Sequence, residues 1–401
     1  MKILVLNCGS SSIRYRLFEM PGGSVLAWGL VQRIGNSSSE INHCAAGKRL
    51  SRSLPVADHA AGLQIVVDML SKGGAAALEH AGEIEAVGHR VVHGGEKFTQ
   101  TVLIDDEVME AIEDHVELAP LHNPPNLAGI RVAQDLLPGV PQVAVFDTAF
   151  HQSIPRHAYL YALPMDLYRK ERIRRYGFHG TSHRYVSMRA AEILKKGPED
   201  ANLITCHLGN GASITAVAAG RSVDTSMGFT PLEGLVMGTR CGDIDPAIAL
   251  HLAQVRKMSP AEIDNLLNKK SGLLGLSGRS NDVRELLRLM ERGHQDAATA
   301  LEIFCYRIHK YIGAYLAVLN RADALVFTAG IGENSPWVRR NACKGLERFG
   351  IRIDEIRNKA AVGCESDISA DGAEIRVLVV PTNEEKLIAM DAYALTQPQY
   401  G

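Results

Sequence analysis

The chain lacks the features that would place it in several large function classes. Its 401 residues include seven cysteines, an odd number scattered without a C-x-x-C pair, which argues against a disulfide framework or a zinc ribbon. Reduced, mostly buried thiols are expected instead. No apolar run is long enough for a signal-peptide core or a membrane span, and the opening Met1-Lys2-Ile3-Leu4-Val5-Leu6-Asn7 breaks off early. A cytoplasmic protein with no membrane partner is therefore expected. A formal net charge of −2 supplies no basic field for a polyanion, so no nucleic-acid partner is expected. There is no G-x-x-x-x-G-K-[ST] phosphate loop, since the nearest stretch, Gly94-Gly95-Glu96-Lys97, carries a glutamate. Nor does a G-x-G-x-x-G open a helix after a strand.

What is present is an ordinary globular composition, 46% hydrophobic and 22% charged, on a chain longer than the ~250–300 residues at which one core stops growing. Two domains are the first expectation. Ile3 to Leu6 is an aliphatic run stopped by Asn7-Cys8-Gly9-Ser10-Ser11-Ser12 and resumed by Ile13 to Phe18, which reads as strand, tight turn, strand. Leu203 to Leu208, Gly209-Asn210-Gly211-Ala212-Ser213 and Ile214 to Val217 repeat the pattern half a chain later. A second echo pairs Val143-Ala144-Val145-Phe146, ending at Asp147-Thr148, with Ala324-Leu325-Val326-Phe327, ending at Thr328-Ala329-Gly330-Ile331-Gly332. Self-similarity at half the chain length marks a duplicated domain rather than a solenoid, whose periods are ~20–50 residues.

Helical periodicity fits Asp58 to Ser71, Asp106 to Glu117, Thr181 to Lys195, Asp282 to Met290 and Ala297 to Asn320. Strands alternating with helices predict an α/β fold. A last helix is expected from Thr382, as N-cap, through a carboxylate-rich first turn. Folding back onto the first domain, it would give domains of 1–150 with 385–401, and 151–384.

Two Gly/Ser/Asn-rich turns between strands expose backbone N–H groups without side-chain obstruction, the kind of concavity that holds phosphate. A Gly-rich hairpin alone is more often only a turn. Arginine and histidine recur beside small and proline-rich neighbours, in Gly88-His89-Arg90, Pro120-Leu121-His122-Asn123-Pro124-Pro125, Gly177 to His183 and Gly238 to Asp243, which puts them on loops. Arg90 and Arg240 have the planar fork that binds carboxylate or phosphate bidentately, and a surface ion pair is the competing explanation. His179 and His183 stand four apart without the H-E-x-x-H pattern, so one is expected to donate a hydrogen bond and the other to be structural rather than a zinc ligand. Asp147 at a strand end and Glu384 in a helix's first turn are hard oxygen ligands suited to hydrated Mg²⁺; for Glu384 the helix dipole offers another explanation.

Taken together, Asn7 to Ser12, His89 to Gly95, the Pro120 to Asn126 loop, Phe146-Asp147-Thr148, Gly177 to His183, His207 to Ser213, Asp224 to Pro246, Phe327 to Asn334 and Pro381 to Glu384 resemble the acetate and propionate kinase family. That family lies within the acetate and sugar kinase, Hsp70 and actin superfamily, and the resemblance runs from Met1 to the last helix. It implies duplicated ribonuclease-H-like, actin-like ATPase domains with a cleft between them, a homodimer, ATP/ADP as co-substrate, and Mg²⁺, with Mn²⁺ as the alternative. Acetate or acetyl phosphate is the implied partner, with propionate as runner-up.

Position by position, the resemblance implies that Arg90 and Arg240 orient the acid and the transferring phosphoryl group, that His179 donates to it, and that His122 is a secondary donor. Asn7, Asp147 and Glu384 match the surroundings of the metal. Ser10, Ser12, Arg14, His207, Gly209, Asn210 and Gly211 match the phosphate turns; Asp282, Arg284, Gly330, Ile331, Gly332 and Asn334 match the adenosine pocket. Arg14 stands where the family usually has lysine, keeping the charge but not the reach. Val92, Leu121, Phe178 and Pro231 match the acid-pocket wall, and relatives that use propionate tend to have alanine at the position of Val92. The chemistry agrees with these assignments: phosphoryl transfer needs in-line positioning and donors, not a covalent nucleophile, and a carboxylate acceptor needs no general base. An ATP-driven binding protein of the Hsp70 or actin kind is the more distant alternative, and it would need no carboxylate-clamping arginine pair.

Overall fold

Short aliphatic strands joined by Gly-rich turns open both halves of the chain, and each hairpin seeds its own sheet. A computed structural model describes residues 1–116, 119 and 122–397. Glu117, Pro120 and Leu121, which the sequence reading placed in a helix end and in the acid pocket, lie outside the described residues. The chain divides into two compact units, residues 1–150 with 383–401, and residues 151–382.

The first unit is built on β1 (Lys2–Gly9), β2 (Ser12–Glu19), β3 (Ser24–Gln32), β4 (Ser39–Ala45), β5 (Lys48–Leu54), β6 (Ala86–Val91), β7 (Val102–Leu103) and β8 (Gln142–Phe146). They form one sheet in the order β5-β4-β3-β2-β1-β6-β8-β7. Strands β1 to β3 pair antiparallel, while β1, β6 and β8 run parallel. On one face lie α1 (His59–Ser71), α2 (Asp106–Asp114) and α3 (Asn123–Leu136). Asp58 starts α1 by accepting from the Ala61 amide at 2.9 Å, and Leu63, Val66 and Leu70 of α1 pack with Leu4, Leu6, Ile13 and Leu17 of the sheet.

The second unit carries β9 (Asn202–Leu208), β10 (Ala212–Ala218), β11 (Arg221–Thr225), β12 (Ala324–Thr328), β13 (Ser366–Asp367) and β14 (Arg376–Val379), in the order β11-β10-β9-β12-β14-β13. Here β9 pairs antiparallel with β10, β10 with β11, and β9, β12 and β14 are parallel. The two sheets therefore share one core pattern, an antiparallel meander extended by two parallel strands. The duplicated α/β architecture is what the chain adopts.

One of the two echoes is corrected. The topological counterpart of β8 is β14, and that of β12 is β6; matching Val143–Phe146 to Ala324–Phe327 paired the fifth strand of one unit with the fourth of the other. All are buried parallel strands and read alike as aliphatic runs.

The helices of the second unit include α4 (Gly180–Ile193), α5 (Ala247–Gln254), α6 (Val283–Glu291), α7 (Gln295–Leu319), α8 (Ala329–Asn334) and α9 (Pro336–Cys343). Asp282, expected inside its helix, instead caps α6 and accepts from the Arg284 amide at 2.8 Å. The C-terminal helix Glu384–Thr396 begins one residue later than expected: Asn383, not Thr382, accepts from the Lys386 amide at 3.1 Å. The Thr382 hydroxyl is engaged with that of Ser182 at 2.8 Å. Ile388, Ala389 and Ala392 of this helix pack on Ile3, Val5, Ala86 and Val143. Gly88 of β6 permits the approach, since a Cβ there would lie 2.5 Å from Cγ2 of Ile388.

Arg339 on α9 is fully buried. Its five N–H donors meet Oδ1 and the carbonyl of Asn358 and the carbonyls of Gly332, Glu333 and Ala361, at 2.6 to 3.0 Å. With no carboxylate near, burial pulls its pKa down to about 10, still protonated at neutral pH. Arg339→Met keeps the bulk and strands those acceptors, so we expect a loss of about 3–5 kcal/mol, read as a lowered thermal unfolding midpoint. An unchanged midpoint would refute this account of the α8–α9 turn.

Candidate functional site

In the first unit the site residues sit at the carboxyl ends of parallel strands. The registers Leu6↔His89 and Val91↔Phe146 bring the ends of β1, β6 and β8 level, so that Asn7, Arg90 and Asp147 gather on one edge. Arg90 Nη2 donates to Asp147 Oδ2 at 3.0 Å, and Nε lies 3.7 Å from Glu384 Oε2 without a hydrogen-bond partner. Burial works against the Arg90 charge, but Asp147 and Glu384 outweigh it and raise the pKa. For Glu384, burial dominates; with Asp147 and Glu385 adding to it against Arg90 and Arg14, the carboxyl is pushed up to about 7.

That donor set fits a hydrated divalent cation. Among the described residues no group of three or more His, Cys, Asp or Glu could hold a metal. A carboxylate pair with the Asn7 amide matches Mg²⁺, which keeps much of its water and takes further ligands from phosphate.

The Asn-Pro-Pro-Asn segment opening α3 holds this edge together. Asn126 accepts from the Val92 amide at 3.1 Å and donates to the Cys8 carbonyl at 2.8 Å, tying β6 to the turn after β1. Asn123 accepts from the His93 amide at 3.2 Å. Val92 is buried at 5% exposure, and His122 stands at the N-terminus of α3. Ser10 and Arg14 are exposed, Ser12 is half-buried, and Arg14 faces Asn7 across the β1–β2 pair. His89 is structural: it is buried against Gln142 Oε1 at 2.7 Å, and burial lowers its pKa to about 4.

In the second unit the turn between β9 and β10 is closed by the Gly209 amide donating to the Gly211 carbonyl at 3.0 Å. A Cβ on Gly211 would sit 3.4 Å from His179 Nε2 and 3.5 Å from Arg240 Nη1, so both groups border this turn. His179 holds a left-handed backbone, φ +57°, a conformation that a non-glycine residue keeps only where its surroundings impose it. Its ring stacks on His207 at 4.1 Å between centroids. Arg240 is half-buried with no carboxylate partner among the described residues. Nη1 reaches the Pro231 carbonyl at 3.4 Å and Met237 Sδ at 3.7 Å, and burial lowers its pKa. Phe178 is buried at 3% exposure, its carbonyl accepting from His151 Nε2 at 3.0 Å.

A cavity of about 600 Å³ opens beside the turn, lined by Gly209, Asn210, Asp282, Arg284, Gly330, Ile331 and Asn334. Asp282 and Arg284 are paired at 2.6 Å. Gly332 is buried, with a Cβ there meeting the Phe327 backbone and the Cys206 carbonyl, and it backs the cavity lip rather than lining it. Asn281 and Trp337, which the sequence reading passed over, also line the cavity, and Asn281 donates to Asn210 Oδ1 at 3.0 Å. The position of Asn281 next to the Asp282 cap was a signal; nothing local marked Trp337.

A family model described as the acetokinase family matches residues 2–390. The chain is 56% identical over 396 residues to the acetate kinase of Natranaerobius thermophilus, covering 98% of this chain and 99% of that one. It is 55% identical over 400 residues to the acetate kinase of Methanosarcina acetivorans, at 100% and 98% coverage. The crystal structure of Porphyromonas gingivalis acetate kinase superposes with a TM-score of 0.95 at 46% identity, covering 99% and 100% of the two chains. That of a propionate kinase from Francisella tularensis superposes with 0.92 at 44% identity, covering 98% and 99%.

Asn126→Leu removes both links between β6 and the first turn and leaves a buried amide and carbonyl unsatisfied. We expect a stability loss of about 2–4 kcal/mol, at ~1–3 kcal/mol per orphaned group, visible as a lowered denaturation midpoint; a neutral result would show that the two links do not hold the edge.

Proposed function

The chain belongs to the acetokinase family, and from that premise we propose how it moves a phosphoryl group between ATP and acetate. The metal-binding residues are assigned to the first unit and the nucleotide cavity to the second. Asp147, Glu384 and Asn7 hold Mg²⁺, which when bound neutralises phosphate charge and orients the triphosphate. The Gly209–Gly211 turn receives the phosphates, with Ser10, Ser12, Arg14 and His207 contributing, and the cavity bearing Asp282, Arg284 and Asn334 takes the adenosine.

Arg240 carries the reading. A half-buried guanidinium with no carboxylate partner among the described residues is held in readiness for an anion that arrives, and it stands with His179 at the phosphate turn. Arg240 and His179 donate to the equatorial oxygens of the group in transit, where fixed donors cost no reorganisation. Arg90, whose Nε keeps an unpaired N–H, orients the acetate carboxylate, and His122 is a further donor. The acetate oxygen is itself the nucleophile and is ionised at neutral pH, so no general base is needed. Val92, buried just past the end of β6 in the first unit, bounds the acid methyl group.

No helix among the described residues is long and apolar enough to cross a membrane, which supports a cytoplasmic location. A homodimer is supported by α5, in which no residue is buried although Ile248 and Leu250 are 45% and 61% exposed; a second copy of the chain would cover them.

Arg90→Ala and Arg240→Ala are each expected to lower kcat by ~10²–10³, the usual loss for a charge-stabilising donor. Trapping acyl phosphate as hydroxamate measures it, and activity within a few-fold of the parent would refute the assignment. No hydroxamate with any short acid would favour an ATP-driven binding protein instead.

Propionate is the second reading, supported by the likeness to the Francisella tularensis propionate kinase. Val92 takes up room for about one methylene, a discrimination of ~1–3 kcal/mol, so acetate is preferred over propionate and butyrate is poor. Val92→Ala should move the kcat/KM ratio toward propionate by roughly tenfold; an unchanged ratio removes Val92 from the acid pocket.

A further inference from the structure

Behind the phosphate turn, side chains from α4, β9 and β10 form an unbroken chain of hydrogen bonds. His179 Nδ1 lies 2.9 Å from Ser213 Oγ, Ser213 Oγ lies 2.7 Å from His183 Nε2, and His183 Nδ1 lies 2.7 Å from Thr205 Oγ1. His183, Ser213 and Thr205 are each wholly buried. The histidine beyond the turn is the one that borders the Gly211 position with its other nitrogen, Nε2.

We propose that Thr205, His183 and Ser213 are positioning residues that fix the proton of His179 on Nε2, the nitrogen that faces the phosphate turn. This rests on the reading of His179 as a donor to the transferring phosphoryl group, and it explains how a neutral imidazole is held in the donating form.

The direction of the chain follows from counting donors. Burial, together with His151, His207 and His179, pushes the pKa of His183 well down, so its ring is neutral and carries one N–H. Thr205 Oγ1 has no hydrogen-bond partner among the described residues other than His183 Nδ1. A buried hydroxyl whose proton points at nothing costs about 1–3 kcal/mol, so Thr205 donates and His183 Nδ1 accepts. His183 Nε2 then bears the proton and donates to Ser213 Oγ. Ser213 has one hydroxyl proton, and its remaining partner is His179 Nδ1, so that nitrogen accepts and Nε2 of the neutral ring carries the N–H.

Reversal of any one bond would reverse them all and leave the Thr205 hydroxyl without an acceptor. The neighbouring imidazoles do not compete for Ser213. His151 bonds Ser222 Oγ at 2.9 Å and the Phe178 carbonyl at 3.0 Å, and His207 Nδ1 bonds Ser182 Oγ at 2.8 Å. The alternative tautomer of His179 would present a lone pair to a phosphoryl group already rich in negative charge. A fixed tautomer therefore separates a donor from a repulsive contact, as the oriented imidazoles of metal and catalytic sites are fixed by the partner of their other nitrogen.

The test reads the tautomer and the turnover together in the full-length protein. Imidazole ¹⁵N NMR, with His179 identified by its loss in His179→Gln, should show the Nε2–H form in the parent. In Ser213→Ala that preference should disappear and kcat fall about tenfold, less than the ~10²–10³ of deleting a donor, with KM for ATP and acetate within about twofold, the pattern of an interaction made in the transition state. Ser213→Thr, which keeps the hydroxyl, should restore both. Thr205→Val removes the hydroxyl that sets the direction without opening a cavity, so it should give mixed tautomers even if Ser213→Ala folds poorly. An Nδ1–H form in the parent, or Ser213→Ala with the parent's tautomer and kcat, overturns the inference alone. Full activity in His179→Gln would instead overturn the donor role on which it rests.

Discussion

A phosphoryl group in transit carries negative charge that only donors already in place can meet without the delay of reorganisation. In this chain several residues of the proposed site stand at the carboxyl ends of parallel strands, where the backbone leaves the sheet and side chains are free to point outward. Asn7 and Arg90 lie near the ends of β1 and β6, and Asp147 directly follows β8. His207 lies near the end of β9, the Gly209 turn follows it, and the α8 lip of the cavity follows β12. Everything else in each unit, from the helix caps to the asparagine links, serves to keep those strand ends level.

The two units hold opposite electrostatic imbalances. In the first, two carboxylates share one guanidinium with Glu385 and Arg14 nearby, and burial, with Asp147 and Glu385 adding to it, raises the pKa of Glu384 toward neutrality. In the second, Arg240 is half-buried with no carboxylate partner among the described residues, and burial lowers its pKa. Neither arrangement is what stability alone would favour, since an isolated buried charge is costly and is ordinarily paired.

Much of this was legible residue by residue. The paired Gly-rich turns, the loop residue Arg240 and the strand-end Asp147 are local features that survive in a linear reading; Arg90, expected on a loop, lies instead inside β6, paired with Val145. What misled was similarity without position: β8 and β12 are both buried parallel strands of the same aliphatic composition, so they read as counterparts although the sheet orders assign them to different ranks. Thr382 and Asn383 are both good caps, and only the partner of the Thr382 hydroxyl, Ser182 on another helix, decided between them. Arg339 gave no sign of being buried, because four of its five acceptors are backbone carbonyls that no side-chain pattern reveals.

The sequence by itself determined the α/β class, the duplication and the residue types from which a phosphate and carboxylate site is made, because hydrophobic period, turn chemistry and side-chain charge are properties of short segments. Only the tertiary structure decided which carboxylates share Arg90, that Arg240 lacks one, and that His179 leans on Ser213 and His183. These depend on distances between residues remote in the chain, and an unmet charge or an oriented proton exists only once folding has removed the water that would otherwise have satisfied it.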